Sequence, residues 1–132
     1  HLKVYLLGAA SDQPLCEELR TSGGNASVTT LAGKLSLLES AALMRGAVMN
    51  YVNDSAPMHL ASALNAPVTA VYCSTVPEFG FGPLSDQSII VQTNQQLSCR
   101  PCGLHGFKAC PQGHFRCSLD ITVSQLTASL TA

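Results

Sequence analysis

Val52-Asn53-Asp54-Ser55-Ala56-Pro57-Met58-His59-Leu60-Ala61 decides how this chain is read. It closes the apolar run Ala47-Val48-Met49-Asn50-Tyr51-Val52, whose length and composition suit one buried strand. A polar turn follows, and then an apolar helix is predicted over 56–64. Ser55 can cap that helix, and Pro57 fits its first turn, where a missing N–H costs nothing. The start of a helix offers free N–H groups and the positive end of a dipole, so a strand–turn–helix of this kind can hold an anion. Asp54 stands at the rim of that turn, and His59 sits one turn inside. Two readings of the pair stay open on spacing alone. One is diphosphate binding with His59 donating to a phosphate oxygen; the other is a capped helix with a satisfied core histidine.

The pattern repeats on both sides. Lys3-Val4-Tyr5-Leu6-Leu7 is strand-like and ends at Gly8. Ser11 or Asp12 can cap the next helix, with Pro14 in its first turn, the stripe Leu15, Cys16, Leu19 as its apolar face and Gly23-Gly24 as its stop. Ser27-Val28-Thr29-Thr30-Leu31 reads as a second strand. Ser36 and Glu39 form a capping box for a helix whose apolar face is Leu37, Leu38, Ala41, Ala42 and Met44. Pro67–Tyr72 and Ser88–Val91 supply a fourth and a fifth strand, the fourth continuously apolar, as in a strand covered on both faces. A last helix is predicted over 120–130 with Asp120 near its start. Strands alternating with helices predict an α/β fold: a parallel sheet with helices on both faces, in one domain over 1–132. Ligands of such sheets bind beyond the carboxyl ends of the strands. Those ends here are Gly8–Asp12, Ala32–Lys34, Asn53–His59 and Ser74–Pro77.

Composition sets the bounds. The chain has 132 residues, 46% of them hydrophobic and 11% charged, which favours a buried core over disorder. A net charge of −1 gives no global field to recruit nucleic acid. No apolar run approaches the ~20 residues of a membrane span. His1-Leu2-Lys3 leads into too few apolar residues for a secretory signal, and the chain does not begin with Met. With no export signal, the six cysteines read as reduced thiols or metal ligands before they read as a disulfide frame.

Three further candidates carry alternatives. Asp12 can accept from a ribose or sugar hydroxyl, or only cap a helix. Lys34, after Gly33, can neutralise phosphate charge, or lie solvated in a loop. Cys99-x2-Cys102-x7-Cys110-x6-Cys117 lies in a segment, 99–117, that also carries Arg100, Lys108 and Arg116 and no acid. Four thiolates with one tight pair can hold a structural, tetrahedral zinc. Disulfides and plain thiols are the other readings. Cys16 and Cys73 read as small buried hydrophobes.

Several stretches together resemble one family. Leu31-Ala32-Gly33-Lys34-Leu35-Ser36-Leu37, Asn53–Ala61 and Pro67–Tyr72 look like the carboxyl-terminal half of the lipopolysaccharide heptosyltransferases, the ADP-heptose family of GT-B glycosyltransferases. Cys-Arg-Pro-Cys-Gly…Cys-Pro-x-Gly-His-x-x-Cys is similar to a cysteine-rich loop of some members. The resemblance implies a Rossmann-like half of a GT-B fold that binds the nucleotide-sugar donor. Asp54, Ser55, Ala56 and the amides there would hold the donor's sugar and phosphates, and His59 would touch the diphosphate. Lys34 falls near the nucleotide and Asp12 near the ribose. Ala56 departs from the family, which usually has Gly there, and a methyl would crowd a close approach to phosphate.

The resemblance also implies what lies elsewhere. The acceptor-binding domain, which carries the expected base, has no counterpart in these residues, so no catalytic residue is assigned here and the chain alone is expected not to catalyse transfer. The strand that opens the donor domain is missing too. In the family's sheet it lies between the strands matching Leu2–Leu7 and Val48–Val52. Direct pairing of those two strands, or a partner chain such as a second copy, is the expected closure. The implied enzyme is cytoplasmic, including peripheral attachment at the inner membrane. It transfers heptose from ADP-heptose to a lipopolysaccharide core acceptor with inversion and without an essential metal. Two other functions share this fold: a zinc-stabilised interaction module without catalysis, and a nucleotide-sugar enzyme of another class, such as an epimerase.

Overall fold

The computed structural model describes residues 2–23 and 27–130. Its chain divides into two compact units, residues 1–43 and 44–132. Both are built from parallel strands and helices, as the alternation predicts.

In the first unit β1 (Val4–Leu6) pairs in parallel with β2 (Val28–Thr30), Val4 opposite Val28 and Leu6 opposite Thr30. The ladder continues past the strands, where Leu31 N–H donates to Leu6 O and Gly33 N–H to Gly8 O, both at 2.9 Å. Gly33 needs to be glycine: its φ is +70°, and a Cβ there would lie 2.7 Å from Ala10 Cα. The connecting helix α1 (Gln13–Ser22) follows a 3-10 turn over Ala10–Asp12 and has Pro14 in its first turn. Gly23 follows it with helical dihedrals, and the expected stop at Gly24 lies outside the described residues. Cys16 is buried, as expected, but its stripe partners Leu15 and Leu19 are 59% and 52% exposed. A two-stranded sheet offers too little surface to cover a whole helix face. The helix α2 (Leu37–Arg45) crosses the boundary between the units. Its capping box forms as predicted: Ser36 N–H and Oγ–H both donate to Glu39 Oε2, and Glu39 N–H donates back to Ser36 Oγ. Those bonds from Ser36 hold the Glu39 carboxyl below its usual range. Ala41 and Met44 of its predicted apolar face are buried, while Leu37 and Leu38 are exposed.

The second unit holds a three-stranded parallel sheet in the order β3 (Asn50–Asn53), β4 (Val68–Tyr72), β5 (Ser88–Gln92). β3 starts three residues later than the apolar run suggested, because the chain turns out of α2 at Gly46 and stays irregular over Ala47, Val48 and Met49. Register assigns the faces. Val52 stands opposite Ala70, and Tyr51 opposite Thr69. The Val52 side packs beneath α3 (Ala56–Ala63) with Met58, Ala61, Val68, Ala70 and Tyr72. The Tyr51 side meets the chain's end, where Tyr51 Oη–H donates to Leu126 O at 3.0 Å and pairs with Ser129 Oγ at 2.8 Å. Central β4 is therefore covered on both faces, with Val68, Thr69, Ala70 and Tyr72 at 0% exposure.

Among the described residues β1 pairs only with β2, and β3 only with β4, so the strands form two parallel sheets, and of the two closures expected for an incomplete sheet centre the direct pairing of the first and third strands is not made. A short helix, α4 (Arg116–Leu119), precedes the stretch where one helix over 120–130 was expected, and that stretch itself holds only α5 (Val123–Thr127) and a 3-10 turn at Ala128–Leu130. Thr122 caps α5 through a capping box with Gln125, and Asp120 instead pairs with Arg116. No helix among the described residues is long and apolar enough to cross a membrane.

Candidate functional site

The site residues of the second unit gather where β3 gives way to α3. Asp54 follows the last residue of β3, and its N–H donates to Val71 O at 3.2 Å, which fixes its backbone to the neighbouring strand. Ser55 occupies the N-cap with extended dihedrals, but it makes no side-chain cap bond; its Oγ–H turns back to Asn53 O at 3.3 Å. The capping expected of Ser55 is thus not made, and no side chain closes the first turn of the helix. Ala56 and Pro57 follow in that turn, both exposed, as is Ser55. His59 is exposed as well, which rules out the satisfied core histidine. Its ring stands edge-on to Phe81 at 6.4 Å, so the Gly-rich loop after β4 flanks the helix start.

Asp54 is the half-buried member of the set, and its carboxylate has a partner the sequence did not suggest. Thr75 Oγ1–H donates to Asp54 Oδ2 at 2.6 Å. Thr75 lies just past β4 and is buried. Below them, Tyr72 Oη–H reaches Phe81 O at 3.0 Å and Met58 Sδ at 3.1 Å. Burial, with Asp54 adding to it, pushes the Tyr72 phenol up to about 12, so Tyr72 stays neutral and uncharged beneath the site.

Asp12 and Lys34 belong to the first unit. Asp12 Oδ2 accepts from its own turn, Ala9 N–H, at 2.8 Å. Lys34 Nζ donates to Thr30 O at 3.3 Å, at the end of β2, from an exposed position. Both stand at carboxyl ends of strands, where the alternation placed them.

The cysteine segment does not assemble the expected zinc site. All six cysteines are free, and among the described residues no three metal-binding side chains come close enough to hold an ion. The thiols turn to other partners: Cys99 Sγ lies 3.7 Å from His114 Nε2, while Cys102 Sγ–H donates to Cys99 O at 3.3 Å. Phe115 N–H donates to Cys110 Sγ at 3.4 Å, and that bond leads several backbone N–H groups in holding the Cys110 thiol below its usual range. Cys117 is buried, and burial pushes its thiol up. The segment is anchored by Arg100 instead. Its Nη2 donates to Thr75 O at 2.8 Å and to Gln92 Oε1 at 2.7 Å, bridging the ends of β4 and β5.

Comparison with known proteins identifies the family and the fold. Residues 1–106 match the family described as Glycosyltransferase family 9 (heptosyltransferase). Lipooligosaccharide heptosyltransferase 2 of Haemophilus influenzae is 37% identical over 92 residues, covering 67% of this chain and 26% of that protein. Lipopolysaccharide heptosyltransferase 2 of Escherichia coli K12 is 27% identical over 135 aligned residues, 98% of this chain and 36% of that protein. The solved structure of the E. coli ADP-heptose LPS heptosyltransferase II shares the fold, with a TM-score of 0.67 at 24% identity over 98% of this chain and 36% of that one. The chain therefore spans between about a quarter and about a third of the length of these relatives. A match over residues 1–106 places this chain in glycosyltransferase family 9, the heptosyltransferases.

Proposed function

We propose that this chain is the donor-binding part of an enzyme that transfers heptose from ADP-heptose to a lipopolysaccharide core acceptor. The observation that carries the reading is the turn from Asp54 to His59. An acid stands at the end of a parallel strand, the first turn of α3 is uncapped by any side chain, and an exposed histidine lies one turn in. In this reading Asp54, Ser55 and Ala56 hold the sugar and phosphates, His59 donates to the diphosphate, and Asp12 and Lys34 serve the nucleotide.

The chemistry is a displacement at the anomeric carbon. An acceptor hydroxyl forms the new C–O bond on the face opposite the leaving group, which inverts the centre. The bond from the anomeric carbon to the phosphate oxygen breaks, and ADP leaves with its electron pair. The proton of the acceptor passes to a base outside these residues. Charge builds on the leaving diphosphate, and the helix dipole of α3, its backbone amides and His59 supply fixed positive potential there. That supply lets the transfer proceed without a metal. An epimerase of the same fold would favour a UDP-sugar, and an interaction module would bind neither nucleotide; the family match favours the transferase.

Titration calorimetry of the chain with ADP-heptose, ADP and a UDP-sugar tests the reading. Saturable binding of the adenine ligands, with ADP-heptose weakened about tenfold or more by Asp54→Ala and by His59→Ala, is the expected result. Equal binding of the UDP-sugar, or no loss in either variant, refutes it.

A further inference from the structure

We propose that Thr75 is a positioning residue for Asp54, and that Arg100 and Cys102, at the start of the cysteine segment, hold Thr75 in place. The proposal rests on the donor-site reading of Asp54. Bonding of Asp54 N–H to Val71 O fixes the backbone but leaves the side chain free to rotate. The bond from Thr75 Oγ1 removes that freedom. Its 2.6 Å length is that of a hydroxyl donating to an ionised carboxylate, the stronger kind of hydrogen bond. Thr75 is 8% exposed, so water competes little for the bond. With Oδ2 held, the direction of Oδ1 is set as well.

Thr75 itself sits on an irregular stretch, 73–76, that has left the strand ladder. That stretch is tied down from one place. Arg100 Nη2 donates to Thr75 O at 2.8 Å and, more weakly, to Tyr72 O at 3.5 Å, while its bond to Gln92 Oε1 anchors it to the end of β5. Cys102 N–H donates to Ser74 O at 2.8 Å. The carbonyls of Tyr72, Ser74 and Thr75 are all bound by residues 100–102. The segment also packs tightly here: a Cβ on Gly106 would lie 2.5 Å from Ser74 Oγ. Among the described residues Arg100 has no carboxylate partner, and its bonded donor serves acceptors at the two strand ends. An arginine so placed orients a backbone; here the oriented backbone carries the hydroxyl that aims Asp54.

Calorimetric titration of the full chain with ADP-heptose and with ADP, for wild type, Thr75→Ser, Thr75→Val and Arg100→Lys, tests this. Thr75→Ser keeps the hydroxyl and should bind ADP-heptose within about twofold of wild type, whereas Thr75→Val should lose about tenfold. The loss should be larger for ADP-heptose than for ADP, because Asp54 is read as a sugar ligand. A general loosening of the fold would weaken both alike and would not be rescued by serine. Arg100→Lys should weaken ADP-heptose in the same direction, since a lysine ammonium ends one bond short of the Nη2 that reaches Thr75 O and Gln92 Oε1. Circular dichroism checks each fold, and Thr75→Ala replaces the valine variant if that one does not fold. Wild-type binding together with unchanged affinity in the folded valine or alanine variant overturns the proposal while leaving the donor reading intact. Failure of wild type to bind either ligand overturns both.

Discussion

Replacing Met58 by alanine should cost the second unit about 3–4 kcal/mol, with the Tyr72 hydroxyl alone among the polar groups of the site losing a contact. Met58 is 0% exposed and lies between α3 and the sheet, against Ala70, Tyr72 and Val52. The substitution removes three heavy atoms beyond Cβ. At about 0.8 kcal/mol for each methylene-sized group, the lost transfer energy is about 2.4 kcal/mol. The cavity adds to this, within the 2–5 kcal/mol range seen for buried methionine truncations. No hydroxyl is stranded, because Tyr72 keeps its bond to Phe81 O when the sulfur goes. Urea unfolding followed by tyrosine fluorescence, in a Tyr5→Phe background, reports this unit alone, since the remaining tyrosines are Tyr51 and Tyr72. The midpoint should fall with little change in slope. Leu119→Ala, at a side chain 73% exposed, is the control and should shift stability by less than about 0.5 kcal/mol. A loss below about 1 kcal/mol for Met58→Ala would refute the enclosed packing of α3 on β4.

Gly33→Ala should destabilise the first unit by more than the ~1 kcal/mol that a positive φ alone costs, because its Cβ meets the backbone of Ala10; hydrogen exchange of the β1 and β2 amides would show it, and unchanged protection would count against that contact. Tyr72 has a raised pKa, so its contribution to stability is full below the unfolded value of 10.0 and is lost as pH rises toward about 12. The total is about 3 kcal/mol, the free energy that separates a phenol titrating at 10.0 from one titrating at about 12. Urea midpoints between pH 9 and pH 12 should fall more steeply for wild type than for Tyr72→Phe, and parallel curves would contradict the burial of the phenol. Among the thiols, Cys110 should be alkylated by iodoacetamide first and Cys117 last, as read by mass spectrometry at pH 7.5; the reverse order would refute the backbone N–H groups around Cys110. Ala56→Gly should tighten ADP-heptose binding if the methyl crowds the phosphate, and calorimetry showing weaker or equal binding would dismiss that crowding.

What could be read from the sequence was local, and its limits are physical. The capping box of Ser36 and Glu39, the entry of α3 at Ala56 and the run of β4 rest on neighbours within a few residues, so patterning finds them. Three kinds of statement were out of reach. Periodicity gives a helix an apolar face but not something to cover it, which is why Leu15, Leu19, Leu37 and Leu38 are exposed where a buried stripe was expected. Cysteine spacing names potential ligands but not the directions of their thiols, and here Cys99 Sγ lies beside His114 Nε2 while Cys102 Sγ–H donates to Cys99 O. Side-chain capping is a competition, which Ser55 resolves in favour of Asn53 O.

The Asp54 environment rests on partners distant in sequence. Thr75 stands 21 residues from Asp54 in sequence, and Arg100 stands 25 from Thr75. No motif of fixed spacing joins them, because the distance is set by a helix, a strand and the loops between. What joins them is topology. Parallel strands deliver their carboxyl ends to one rim, so the residue after β3 meets the residues after β4 and β5 whatever the intervening length. The sequence did mark Asn53–His59 and Ser74–Pro77 as two such ends, and Arg100 as a cation without an acid nearby. The missing step was to treat strand ends as neighbours of one another. Taken that way, a threonine directly beyond one strand is the natural donor to an aspartate directly beyond the next, and an arginine after the third is placed to hold the threonine's carbonyl.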